Sequence, residues 1–260
     1  MNIVVCIKQV PDTTEVRIDP EKGTIIRDGV PSIMNPDDKG GLEMALRLKD
    51  KYGAKVTAIT MGPPQADAIL REAFAMGVDE CYHLSDRKFA GADTLATSNA
   101  LAGALRVLPC DLVVTGRQAI DGDTAQVGPQ IAEHLDLPQV SYAEEIEFDG
   151  KDKLTIRKAT EEGYQMVEVH TPCVVTAIFP AKDARYMSMP GILEAYEKEV
   201  SVWSADNIEV EEEKLGMKGS PTKVFKSFSK GAKAAGEVHE LTAEEAVDMI
   251  VEKLEEKFII

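Results

Sequence analysis

Thr115-Gly116-Arg117-Gln118-Ala119-Ile120-Asp121-Gly122-Asp123-Thr124-Ala125-Gln126-Val127-Gly128-Pro129 stands between an apolar, β-rich run, Asp111 to Thr115, and a helical pattern, Gln130 to Leu135. A buried strand leading through a glycine-rich loop into a helix is the unit of a doubly wound α/β sheet. In such sheets ligands sit outside the carboxyl ends of the strands. Gly116, Gly122 and Gly128 allow close backbone approach, and Asp123 and Thr124 are suited to cap the helix. Free N–H groups at a helix N-terminus favour phosphate, so the stretch reads as a nucleotide loop. It lacks the Gly-Lys-Ser/Thr ending of a Walker loop and is not Gly-x-Gly-x-x-Gly. A plain glycine-rich turn before a capped helix would use the same residues.

Working outward, Asn2 to Ile7 and Lys55 to Thr60 are further apolar runs, and Glu80 to Leu84 is a weaker one. Continuous apolar strands are buried on both faces, as in a parallel sheet. Between them lie helical stripes. Leu42, Ala45, Leu46 and Lys49 form the first, stopped by Gly53; Ile69, Leu70, Ala73 and Phe74 the second, stopped by Gly77. Leu95, Asn99, Ala102 and Leu105 form the third, closed near Pro109. The alternation predicts a Rossmann-like, doubly wound, mostly parallel α/β fold with helices on both faces.

After Pro138 the rhythm changes. Glu145 to Phe148, Lys153 to Ala159 and Tyr164 to Val169 are short and alternating, split by Asp149-Gly150 and Glu162-Gly163, which predicts an antiparallel meander at the sheet edge. Cys173 to Phe179 returns to the central sheet, and Pro190 to Glu199 reads as a short helix. From Ser204 to Glu240 large apolar residues are scarce, so this stretch cannot close a core of its own. Thr242 and Glu245 then form a capping box before a helix with the stripe Ala246, Val247, Ile250, Val251 and Leu254. The division is an α/β domain at residues 1–203 and a C-terminal arm at 204–260. The arm's helix needs a surface, either its own domain or, as favoured here, a partner chain.

Of 260 residues 44 % are hydrophobic, enough for a sizeable core, and 29 Lys and Arg against 45 Asp and Glu leave a net charge of −16. That balance disfavours nucleic-acid binding, which needs clustered cations. No apolar run reaches the ~20 residues of a membrane span, and Met1 to Val10 lacks the regions of a signal peptide. Cys6, Cys81, Cys110 and Cys173 are scattered without a Cys-x-x-Cys pair, so no metal site is expected and a reduced, cytoplasmic setting is. His83, His134, His170 and His239 show no ligand spacing and read as structural or surface residues. No nucleophile–base pair stands out.

Two other strand ends share the carboxyl rim: Lys8-Gln9-Val10-Pro11-Asp12 and Thr60-Met61-Gly62-Pro63. Asn35-Pro36-Asp37-Asp38 opens a helix beside them. Each alone suits a turn or cap; together they favour one nucleotide crevice.

Several motifs in register resemble the small (beta) subunit of electron transfer flavoproteins, across essentially the whole chain. They are Val4 to Asp12, Met34 to Asp38 with Leu42 to Lys49, Met61-Gly62-Pro63, the loop Gly116 to Gly128, and Arg185-Tyr186-Met187-Ser188-Met189-Pro190. The resemblance implies a heterodimer with an alpha subunit that carries FAD. It also implies a beta-subunit nucleotide pocket at Cys6, Asn35, Pro36, Asp37, Asp38, Met61 and Thr115 through Gly128, with Asn35 and Asp38 on the adenosine part and loop N–H groups on phosphates. Tyr186, Met189, Ile192 and Leu193 resemble the family's recognition loop for acyl-CoA dehydrogenases, with Met189 as apolar anchor, and the arm resembles the segment that embraces the alpha subunit.

Gln118 to Pro129 departs from the AMP-binding pattern and resembles the version in electron-bifurcating members. Those hold a second FAD in place of AMP, take hydride from NADH, and pass electrons to ferredoxin or flavodoxin and, through the alpha-subunit FAD, to an acyl-CoA dehydrogenase or enoyl-CoA reductase. The alternatives are an ordinary member with a structural AMP, and an adenine-nucleotide sensor without electron transfer.

Overall fold

The structure, a computed structural model, describes residues 1–12, 31–223 and 236–259. Among these, the apolar run at the start forms β1 (Asn2–Cys6), followed by a short antiparallel ribbon of β2 (Gln9–Pro11) and β3 (Ser32–Met34). Next come α1 (Pro36–Tyr52), β4 (Lys55–Met61), α2 (Asp67–Met76) and β5 (Glu80–Leu84). Gly53 and Gly77 end the two helices with φ of 68° and 119°, the left-handed stop their positions predict. Then follow α3 (Thr94–Val107), β6 (Leu112–Gly116), α4 (Val127–Leu135) and β7 (Gln139–Phe148). The body is completed by β8 (Lys153–Thr160), β9 (Gly163–His170), β10 (Cys173–Ala177), α5 (Met189–Ala195) and β11 (Val200–Trp203).

Nine strands share one sheet in the order β11-β5-β4-β1-β6-β10-β7-β8-β9. From β11 to β7 every pairing is parallel, and β7-β8-β9 is the antiparallel meander at one edge. Period-two alternation sends Ile3, Val5 and Ile7 into a core with α1, α2 and α5. It sends Val4 and Cys6 into a second core with α3 and α4. Strand order reverses between β1 and β6, which puts a topological switch point at Ile7–Lys8 and Gly116–Arg117.

Three features differ from the sequence reading. β11 pairs parallel with β5 at the far edge; its few alternating residues were too short a run to stand out. α4 begins at Val127, one turn before the helical stripe. The first compact unit runs from Met1 to Lys226, beyond residue 203, because Ile208 and Leu215 are buried against the α3 side of the sheet. A sparse apolar sequence can therefore be anchored by single residues on a neighbouring surface.

The second unit, Ser227–Ile260, contains α6 (Ala243–Glu256). Its capping box is formed: the Thr242 N–H donates to Glu245 Oε2 at 2.9 Å, and Thr242 Oγ1 accepts from the Glu245 N–H. Val247, Ile250 and Val251 of its stripe are exposed.

Candidate functional site

At the switch point the carboxyl ends of β1, β4, β5 and β6 surround a crevice of about 890 Å³. Three of its walls are those the sequence points to: Cys6 to Gln9, Met61 to Pro64, and the loop after β6. Of the expected site residues, Cys6, Asp38, Met61, Thr115, Gly116, Arg117, Gln118, Ala119, Gly122, Thr124, Ala125, Gln126, Val127 and Gly128 line it. Asn35, Pro36, Asp37, Ile120, Asp121 and Asp123 do not. Of these, Asn35 is buried, whereas Ile120 and Asp123 are exposed to solvent.

Those six include the residues that hold the loop in place. Asn35 is 0 % exposed; its Nδ2 donates to the Gln118 carbonyl at 2.8 Å and its Oδ1 accepts from the Ile120 N–H at 3.1 Å. Both ends of its amide are thus taken up by the chain itself. Asp121 pairs with Lys8 Nζ at 2.7 Å, tying the loop to the end of β1. Asp37 Oδ2 lies 3.3 Å from Arg117 Nε, close enough for attraction but too poorly aligned for a hydrogen bond.

Asp123 and Thr124 do not cap the helix. α4 starts at Val127, its N-cap is Gln126 without a side-chain cap, and the Asp123 carboxylate accepts from the Gln118 side-chain amide. The left-handed positions of the loop are Asp123 (φ 53°) and Ala125 (φ 52°), whereas Gly122 has no neighbour within 4 Å of a Cβ built on it. The tight glycines are the other two. A Cβ on Gly116 would meet Asp38 N at 2.7 Å, and one on Gly128 would meet Thr115 Oγ1 at 2.6 Å. These two let α1 and α4 close onto β6.

Asp38, buried at the start of α1, joins two strand ends: Oδ2 accepts from the Lys8 N–H at 2.8 Å and Oδ1 from the Gly116 N–H at 3.0 Å. Burial pushes its carboxyl up to about 7, against the lowering effect of the bonds from Asn35, Lys8 and Gly116. Burial, with Asp38 and Cys110 adding to it, also pushes the Cys6 thiol up, so it faces the crevice as a small neutral group.

The sequence reading missed the fourth wall, the stretch from Ser85 to Thr94 with Thr97 and Leu101 of α3. The signal available was Asp93-Thr94 before a helical stripe: Asp93 Oδ1 accepts from the Ala96 N–H at 3.0 Å and caps α3. The two helix N-termini at the crevice therefore differ. That of α3 is capped by a carboxylate; that of α4 offers N–H groups free of any side-chain cap, beside the cations Lys8, Arg87 and Arg117. Uncapped amides and cations on one rim suit a phosphorylated ligand.

On the α2 side of the sheet the segment around α5 carries an apolar surface. Tyr186 is 94 % and Met189 73 % exposed, and Leu193 is exposed beside them, while Ile192 is half-buried against the core. Ser188 caps α5, accepting from the Gly191 N–H at 3.0 Å, and Arg71 of α2 donates to the carbonyls of Ala195 and Lys198.

A family model described as the electron transfer flavoprotein domain matches residues 22–208. The chain belongs to the electron transfer flavoprotein family. It is 60 % identical over its full length, and that of the relative, to an electron transfer flavoprotein subunit beta from Clostridium acetobutylicum. It is 52 % identical, again with both chains fully covered, to the caffeyl-CoA reductase-Etf complex subunit CarD of Acetobacterium woodii. A third full-length relative, 46 % identical, is the acryloyl-CoA reductase electron transfer subunit gamma of Anaerotignum propionicum. Electron transfer flavoprotein relatives thus include subunits named for complexes with acyl-CoA-type reductases. Among the described residues no helix is long and apolar enough to cross a membrane.

Proposed function

We propose that this chain is the beta subunit of a heterodimeric electron transfer flavoprotein and that its crevice holds FAD. In this reading it passes electrons from NADH to ferredoxin or flavodoxin and, through the FAD of the alpha subunit, to an acyl-CoA dehydrogenase or enoyl-CoA reductase. The observation that carries the choice of FAD is the extent of the crevice. At about 890 Å³ it stands near the top of the roughly 300–1,000 Å³ typical of small-molecule sites, and it continues past the 116–128 loop to the wall at Ser85 to Thr94. An AMP, the second reading, would leave much of that space to water.

The residues fit a dinucleotide. The uncapped first turn of α4 and Arg117 provide donors for a pyrophosphate, and Lys8, paired with Asp121 of the same loop, adds a cation. Asp38 lines the adenosine end, while Asn35 acts behind it by holding the 118–120 loop. Met61, Ile59 and Phe89 present apolar surface to a ring system. The flavin, when bound, supplies the hydride and one-electron chemistry; the protein's part is placement and charge. Tyr186, Met189 and Leu193 form the docking face for the dehydrogenase, with Ile192 packing beneath them, and the C-terminal unit embraces the alpha subunit.

Flavin stoichiometry of the purified heterodimer tests this. Two FAD per dimer are expected, and Ala125→Leu should lose one of them together with NADH oxidation while the alpha-subunit flavin stays. One FAD plus AMP in the wild-type dimer would replace this reading with that of a simple electron shuttle.

A further inference from the structure

We propose that residues 203–222 form a strap built into one wall of the crevice, so that filling the crevice and fixing the root of the C-terminal segment favour each other. The inference deepens the nucleotide reading above and rests on it for the presence of a ligand. Its ground is that one loop, between β5 and α3, is crevice lining on one side and the strap's seat on the other.

Ala90, Gly91 and Ala92 of that loop carry no side chain larger than a methyl, so little of their own packing sets their position. The strap sets it instead. The Met217 N–H donates to the Ala90 carbonyl at 3.1 Å, and a Cβ on Gly91, whose φ is 72°, would meet Met217 Cγ at 2.8 Å. Two wall carboxylates each join the strap through one oxygen and the wall itself, the loop or the first turn of α3, through the other. Asp86 Oδ2 accepts from the Ala205 N–H at 3.1 Å and Oδ1 from the Lys88 N–H at 3.0 Å. Asp93 Oδ2 accepts from the Thr222 N–H at 3.1 Å and Oδ1 from the Ala96 N–H at 3.0 Å. The buried Ser220 Oγ accepts from the Asp93 N–H at 2.9 Å.

Apolar contacts run the same way, since Ile208 and Leu215 of the strap share a buried cluster with Phe89 and Leu101 of the wall. At the crevice mouth, Thr94 Oγ1 donates to Gln126 Oε1 at 2.8 Å, so the wall is tied to the phosphate loop in front as well as to the strap behind. A ligand that binds only the ordered wall stabilises whatever orders that wall. Linkage makes the effect reciprocal: a strap held in place raises affinity for the ligand.

The test uses the full chain in its heterodimer, freed of nucleotide and then supplied with FAD or AMP. Hydrogen exchange is followed over residues 85–94 and 203–222, and nucleotide release is timed in Ser220→Ala and Thr222→Pro, the second of which removes the N–H that reaches Asp93. Bound nucleotide should slow exchange in both segments, and the variants should release it roughly five- to tenfold faster, at the low end of typical coupling between sites. Slowing confined to 85–94, with wild-type release from both variants, would overturn the strap while leaving the nucleotide reading intact. Failure of both FAD and AMP to bind would remove the reading and the inference together. Should Thr222→Pro not fold, exchange in the wild-type dimer decides by itself.

Discussion

Glu43, buried on α1, holds Arg185 with its Oε2 2.8 Å from the guanidinium Nε and 3.1 Å from the backbone N–H of the same residue. Arg47 reaches the other carboxylate oxygen at 2.9 Å, and Arg185 extends to Asp50 at 2.7 Å. A residue of the central domain thereby fixes the start of the segment that exposes Tyr186 and Met189. Burial pushes Glu43 up, yet the hydrogen bonds from Arg185 and Arg47 outweigh it and hold the carboxyl below the usual glutamate range. A carboxyl lowered by folding contributes stability that is present above its unfolded value and lost as pH falls through the folded one. Glu43→Gln should cost about 1.5–3 kcal/mol, the range for a hydrogen bond to a charged group, and flatten the acid limb of a melting-temperature profile. An unchanged acid limb would count against this role.

Met189→Ala removes an exposed side chain and should leave the melting temperature alone. Coupling to the acyl-CoA dehydrogenase proposed as partner should fall by about 1–3 kcal/mol, as for a buried interface anchor. Reduction of the flavins by NADH should not change. Equal loss of both activities would point to misfolding instead.

The three loop glycines should separate by role. Gly116→Ala and Gly128→Ala each force a methyl into atoms closer than 3 Å and should destabilise by roughly 1–3 kcal/mol, the usual cost of overpacking. Gly122→Ala meets nothing within 4 Å and should change stability by no more than about 0.5 kcal/mol. Chemical denaturation of the three variants side by side checks the ranking.

Asp38 acts in the opposite direction to Glu43. Its carboxyl is raised on folding, to about 7, so its contribution to stability is largest below the unfolded aspartate value and is lost as pH climbs through 7. An infrared carboxylic-acid band that disappears near neutrality, and is missing in Asp38→Asn, is the expected signature. The variant should also lose the stability change between about pH 4 and 7, because it carries no titrating group there.

Truncation distinguishes strap from arm. Ending the chain at Lys226 should leave the sheet domain folded and weaken assembly with the alpha subunit. Ending it at Trp203 also strips away Ile208 and Leu215, each worth roughly 1.5–3 kcal/mol when buried, and should lower the melting temperature of the domain itself. Equal melting temperatures for the two truncations would contradict the packing described for residues 204–223.

The alternation of apolar runs with stripes stopped at Gly53 and Gly77 was enough to place β1, β4, β5 and β6 and helices α1 to α3 of the sheet domain, though not β11 or the β2–β3 ribbon. Burial on both faces leaves no polar residue in β1, β4 or β6 beyond what a parallel strand tolerates, and a left-handed stop favours glycine. The rim of the crevice was legible for the same reason, since ligand sites of such sheets lie where strands end. The capping box at Thr242 and Glu245 needs only residues three apart, and it too could be read directly. Partners distant in sequence were not readable. Asn35 reads as a ligand contact until the fold brings Gln118 and Ile120 onto its amide, and Asp123 as a cap until α4 begins four residues later. The wall at Ala90 to Ala92 carries almost no side-chain signal, and its place comes from Met217, Ser220 and Thr222, over a hundred residues along the chain. Periodicity reports which face of an element is buried; which distant residue covers it, and which amide or carboxylate is spent inside the chain instead of on a ligand, only the tertiary structure decides.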